Sequence, residues 1–189
     1  MKKKNFLISA LAIICIAFAF IGCKPKEEKK SLNFDELIQA DFKTAQDTFG
    51  QPVFYEAQVL FDKNITEEGN LSVIKVVTVI QDIDSLASEP TCIMTTHILN
   101  GDVEETDVEY VHDYWMEDCT IDLNTIKIKL NDAIDILKSS EITLPESNTM
   151  IFRRPLGPEL LEYPFYIFGQ MKTGFVSVDA GTGEVSELF

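Results

Sequence analysis

The chain is poor in the residues that most often carry chemistry. Among its 189 residues are two arginines, two histidines, one tryptophan and four cysteines. With His97 and His112 alone, and no His-Glu-x-x-His or Cys-x-x-Cys, it lacks the three or four spaced ligands of a zinc site. There is no Gly-x-Ser-x-Gly elbow, and no loop follows the EF-hand pattern. Both histidines fall in expected strands rich in carboxylates, which points to ion-paired or surface roles. A hydrolase built from dispersed residues stays open, because a Ser-His-Asp set assembles across a fold. No cofactor is expected. Basic charge is also scarce, with 16 Lys and Arg against 31 Asp and Glu and a formal charge of −15. Residues 1–22 hold three lysines and no acid, so the remainder carries 13 basic against 31 acidic residues, a charge of −18. Such a surface repels phosphate backbones, which disfavours nucleic acid as a partner. The apolar run Phe6–Ile21, broken only by Ser9, has 16 residues. A bilayer span needs about 20.

What is present supports one folded domain. Hydrophobic residues make up 46% and aromatics 10% of the chain, enough for a core. Lys2, Lys3 and Lys4 precede the short apolar run, the pattern of a signal peptide over residues 1–22. The ending Phe20-Ile21-Gly22-Cys23 resembles a bacterial lipobox, and the resemblance implies acylation of Cys23. An uncleaved anchor and an ordinary secretory signal are the alternatives. Two or more acyl chains anchor stably where one is marginal, so an acylated Cys23 would hold the chain to a membrane, expected to be the outer membrane. Residues 23–30 are polar and charge-mixed and read as a tether. Lys26-Glu27-Glu28 within them resembles the signal that sends some Gram-negative lipoproteins to the cell surface, though a plain linker explains it equally well.

The remaining 31–189 reads as a single α+β domain, divided at 124/125 into two halves. Asn33 and Glu36 have capping-box spacing ahead of an amphipathic helix over 34–49. Strands are expected over Val53–Phe61, Leu71–Asp82, Thr91–Leu99 and Asp102–His112. Asn100-Gly101 marks a two-residue hairpin that would set Leu99 opposite Asp102, His97 opposite Glu104 and Cys92 opposite Glu109. The second half reads as a short strand at Thr125–Leu130 and a helix Asp132–Ser140 capped by Asn131. Strands at Thr149–Leu156, Tyr163–Gly169 and Phe175–Ala180 follow. Helices are expected on one face of an antiparallel sheet, leaving the other free.

Several residues invite a functional reading. Arg153 and Arg154 are possible carboxylate ligands, or partners for the chain's own acids. Tyr110, Tyr114, Trp115 and Met116 form either a contact patch or core, with burial preferred. Cys92 and Cys119 are the only thiols left after processing and could form a disulfide in an oxidising compartment. Asp84-Ser85-Leu86 matches a short O-glycosylation acceptor used in some anaerobic Gram-negative lineages.

The second half resembles a PepSY-type module. The resemblance rests on Ala133-Ile134 and Leu137 in the helix, on Tyr166-Ile167-Phe168-Gly169, and on Phe175–Val185 ending in Asp179-Ala180-Gly181-Thr182-Gly183-Glu184-Val185. The first half would be a diverged copy. Paired modules of this kind occur in bacterial lipoproteins described as PepSY-like or β-lactamase-inhibitor-like. They imply a non-enzymatic envelope protein that binds, and can inhibit, an envelope or secreted protein or peptide. The motif also has a plain physical account: Asp179 makes an Asx-turn, and Gly181 and Gly183 permit φ > 0. A cation held by Asp179 and Glu184 is the weaker alternative.

Overall fold

The structure, a computed structural model, describes residues 33–83, 90–100, 103–113, 115, 119–154 and 162–188. Cys23, the whole 1–30 segment and Ser85 lie outside them, as do Tyr114 and Met116.

Helix α1 runs Phe34–Thr48. It starts where the capping box predicts: Asn33 Oδ1 accepts from the Glu36 N–H at 2.9 Å, and the Asn33 N–H donates to Glu36 Oε2 at 3.3 Å. Phe34, Leu37, Ile38 and Ala45 turn inward at helical spacing. Four antiparallel strands follow: β1 Pro52–Phe61, β2 Val73–Asp82, β3 Thr91–Asn100 and β4 Val103–Val111. A short 3-10 turn at Leu123–Thr125 leads to helix α2, Leu130–Ser139. The last strands are β5 Thr149–Arg153, β6 Phe165–Gln170, β7 Gly174–Asp179 and β8 Val185–Leu188. All eight form one sheet in the order β4-β3-β2-β1-β5-β6-β7-β8, antiparallel throughout. The fold is α+β, and Ser31–Phe189 is one compact unit.

The buried residues of both helices share one cluster with alternate residues of the strands, among them Val59, Phe61, Val76, Met150, Phe152, Tyr166, Phe168 and Val178. Aromatic rings dominate where α1 meets the sheet. Phe34 stands edge-on to Phe152 at 5.9 Å, and Phe42 edge-on to Phe54 at 6.3 Å. A bulge at Tyr55 shifts the β1–β2 register, so that Phe54 pairs Ile80 and Glu56 pairs Val79. Tyr55 thereby joins a second, smaller cluster with Val79 and Cys92, separate from the helix-side core.

Four expectations need correction. The hairpin pairs Asn100 with Val103, not Leu99 with Asp102, so His97 lies opposite Thr106 and Cys92 opposite Val111. A slide of two keeps every residue on its expected face, and it packs Val111 into the second cluster. Thr125–Leu130 is not a strand: Ile126 and Ile128 pack on the core from a loop whose Lys127 and Ile128 N–H groups both donate to the Ala180 carbonyl. Helix α2 begins at Leu130 with Lys129 as its uncapped N-cap, so Asn131 lies inside the first turn. Asp35 of α1 meets the Leu130 N–H instead, putting a carboxylate from the other helix where the dipole favours it. The fourth is β8, a strand where none was expected.

Candidate interaction surface

Period two along each strand divides the sheet into a face under the helices and a face opposite them. In register, Val77, Gln58, Ile151, Ile167, Ser177 and Ser186 form one row across five pairings of the opposite face. A neighbouring row brings Leu60 beside Thr149 and places Phe175 beside Leu188. Leu60, Val77, Ile151, Phe165, Ile167, Phe175 and Leu188 are half-buried and belong to neither hydrophobic cluster. Among the described residues no helix packs on this face. Val77, Phe165 and Ile167 line it, while Val59, Phe61, Tyr166 and Phe168 fill the core and Val79 fills the second cluster.

Lys75, beside Leu60, is an exposed base on this face, whereas Arg153 is engaged in the fold. Arg153 Nη1 lies 3.7 Å from Glu56 Oε2, its direct cross-strand neighbour, and Gln58 Nε2 donates to Glu56 Oε1 at 2.8 Å. Glu56 is buried, so these partners satisfy a carboxylate that would otherwise be costly to desolvate. Arg154, just past β5, donates from Nη1 to the Thr120 carbonyl at 3.5 Å. Both arginines tie segments of the chain together.

Trp115 packs on the second cluster with Cys119, Met94, Val53 and Val111. Its backbone N–H donates to Gln81 Oε1 at 3.0 Å, while the indole Nε1 and Gln81 Nε2 are buried without partners. Tyr110, by contrast, is exposed, so the expected aromatic group does not form one unit. Cys92 and Cys119 are free thiols associated with this same cluster, not a disulfide. Burial pushes the Cys92 thiol up to about 11, helped by the Glu56 charge.

On the helix-covered face, Asp41 sits on the inward side of α1 and receives two elements of the sheet. His97 Nε2 lies 3.0 Å from each of its carboxylate oxygens, and Thr78 Oγ1 donates to Oδ2 at 2.6 Å. Thr106 Oγ1 is 3.2 Å from His97 Nδ1 on the far side of the ring. Facing a carboxylate, Nε2 carries a proton. The result is a carboxylate–imidazole–hydroxyl chain from the helix to the outermost strand. The spacing of Asp41 with Leu37, Ile38 and Ala45 was the available signal for an inward-facing acid, and sequence reasoning passed over it.

The motif at the β7–β8 connection is a turn. Asp179 Oδ1 accepts from the Gly181 and Thr182 N–H groups at 2.7 and 2.8 Å, and the Gly183 N–H closes back on the Asp179 carbonyl. Gly183 has φ +77°, whereas Gly181 does not take a positive φ and is needed for space instead, because a Cβ on it would run into the Tyr163 ring. Glu184 joins through its backbone carbonyl, not its carboxylate. Among the described residues no group of three or more His, Cys, Asp or Glu could hold a metal ion.

A groove of about 790 Å³ runs between α1 and residues 123–129, lined by Phe42, Leu123 and Ile126 and by Lys43, Lys127 and Lys129. Lys127 is drawn toward Tyr163, whose hydroxyl it meets at 2.9 Å. At one end Asp35 Oδ1 is buried without a partner, and burial raises the Asp35 carboxyl above the usual range against the pull of the Leu130 N–H. Below it, the Tyr166 hydroxyl donates to the Ile128 carbonyl at 2.8 Å, and burial, with the Asp35 and Asp132 charges, raises it.

Among the described residues no helix is long and apolar enough to cross a membrane. Comparison with known proteins finds no match to a family model, a curated protein or a solved structure.

Proposed function

We propose that this chain is a lipid-anchored envelope lipoprotein that binds a protein or peptide partner on its open sheet face, inhibiting it by occlusion and turning over no substrate. The observation that carries this is the half-buried row Val77, Ile151 and Ile167 with Leu60, Phe165, Phe175 and Leu188, outside both hydrophobic clusters. Apolar side chains gathered on one accessible face favour an interaction surface. Two PepSY-like, β-lactamase-inhibitor-like halves are supported by the order of elements. A helix and four antiparallel strands come twice, and β1 lies against β5 at the middle of the sheet. The anchor is acyl chains on Cys23, and the site is the outer membrane.

The test is affinity capture from envelope extract with the full chain as bait, beside an Ile151→Asp/Ile167→Asp variant. A stoichiometric partner held by the parent and lost by the variant is expected. Equal capture by both overturns the face assignment, and absence of any partner favours an accessory lipoprotein without a discrete ligand. Cys23→Ser should release the chain from membranes. A second reading, a hydrolase, draws on the Asp41–His97–Thr106 chain, whose Thr106 is exposed on β4. Turnover of any ester or peptide substrate that Thr106→Val abolishes would establish it.

A further inference from the structure

The two ends of the sheet differ. At one end β8 has four residues, while at the other β4 has nine, Val103–Val111, with every residue from 105 to 110 exposed. The inner edge of β4 is paired to β3 along its whole length, and among the described residues no strand pairs with its outer edge. A long unpaired edge is a template for another strand.

Its side chains alternate in a way that selects what could be added. Glu105, Asp107 and Glu109 share the open face, opposite Ile98, Thr96 and Met94 of β3. On the other face stand Val108 and Tyr110, 44% and 56% exposed, with the Phe49 ring at the end of α1 6.3 Å from that of Tyr110. A strand laid along this edge meets three carboxylates on one face and two apolar side chains on the other. Opposite charges across a strand pair stabilise it and like charges oppose it. A second copy of this chain is therefore disfavoured. Antiparallel self-pairing about Asp107 would set Glu105 against Glu109 and Asp107 against itself. The acidic balance of the whole chain, −15, attracts basic segments and repels acidic ones. Charged edges also guard against aggregation, and here the same carboxylates do both, rejecting self and admitting a complementary strand.

We propose that the outer edge of β4 is a strand-addition site for an extended basic segment of a partner protein, in which Lys or Arg alternates with apolar residues. The proposal rests on the reading of this protein as a non-catalytic binder and names the chemistry of what it binds.

The probe is an acetylated and amidated nonapeptide of alternating Lys and Val, titrated into the full chain in a neutral detergent and followed by amide hydrogen exchange. It should protect the amides of residues 105–110, bind more weakly as salt rises, and lose roughly tenfold or more in affinity to Glu105→Lys/Asp107→Lys/Glu109→Lys. The three substituted residues are exposed, and unchanged exchange in β1 and β2 certifies that the variant is folded. The same peptide N-methylated throughout its backbone keeps its charge but cannot donate to a strand edge, so it should bind at least as poorly. Equal binding of the N-methylated peptide overturns strand addition, as does an unaffected triple variant or a failure to bind at all. Binding lost in Ile151→Asp/Ile167→Asp but kept in the triple variant also overturns the edge proposal while leaving the open-face reading standing.

Discussion

Removing Asp41 should cost far more than removing an ordinary helix carboxylate. Its side chain is 12% exposed and that of its partner His97 is 6% exposed, so the pair is shielded from solvent. Asp41→Leu leaves two donors without their acceptor, the His97 Nε2–H and the Thr78 hydroxyl. Breaking one side of a buried pair typically costs about 3–5 kcal/mol, because the surviving group stays desolvated and unmatched. The slight exposure here favours the lower end, about 3 kcal/mol. His97→Leu should cost a comparable amount, since it strands the Asp41 charge under α1. The double variant Asp41→Leu/His97→Leu should cost less than the sum of the two by about 1–3 kcal/mol, the coupling expected of contacting groups. Thr78 would still lack its acceptor, so full recovery is not expected. Urea unfolding of 31–189 at pH 7, with m-values compared to certify two-state behaviour, measures all three. Additivity within about 0.5 kcal/mol would refute the claim that this pair clamps α1 to the sheet.

Other parts of the fold give sharper single-site expectations. Gly169 has φ +129°, and a Cβ there would strike the Gly174 backbone carbonyl, so Gly169→Ala should lower stability by about 2 kcal/mol or more in the same assay. Asp35 has a raised carboxyl pKa, so the unfolded chain gives up this proton first as pH rises, and the penalty for its charged form remains above the folded value. Asp35→Asn should therefore stabilise at pH 7 and gain little at pH 3; the opposite order would show that the Leu130 N–H outweighs burial. The Cys92 thiol, raised from 9.0 to about 11, should be alkylated by iodoacetamide at pH 8 about 100-fold more slowly than an unfolded reference thiol, by mass-spectrometric peptide counting. Equal rates would show that the second cluster admits solvent.

Features written locally in the chain were legible from sequence. The capping box set the start of α1, and the Asx-turn at Asp179 followed from its own glycines and carboxylate. The Asn100-Gly101 hairpin was legible as a turn but not in register, since sliding by two preserves the inside-outside pattern that sequence displays. Thr125–Leu130 misled because Ile126 and Ile128 alternate like a strand, yet their backbone is claimed by the Ala180 carbonyl. Strand β8 was too short for its period to be read. The remaining features depend on distant partners. Asp41 meets Thr78 and His97 at sequence separations of 37 and 56, and nothing local marks the three as one site. The open face was foreseeable in kind, because helices cover one side of such a sheet, but which apolar residues stay outside the core depends on the bulge at Tyr55 and on the β1–β5 pairing.

The central claim, that the face opposite the helices meets a partner, is tested most directly by site-specific photo-crosslinking in intact cells. A benzophenone side chain would replace Ile167 on the open face or, as control, the exposed Asp132 on α2. A discrete crosslinked species from position 167, absent from position 132 and abolished by Ile151→Asp, is the expected result. Crosslinks from position 132 alone, or the same species from both, would contradict it.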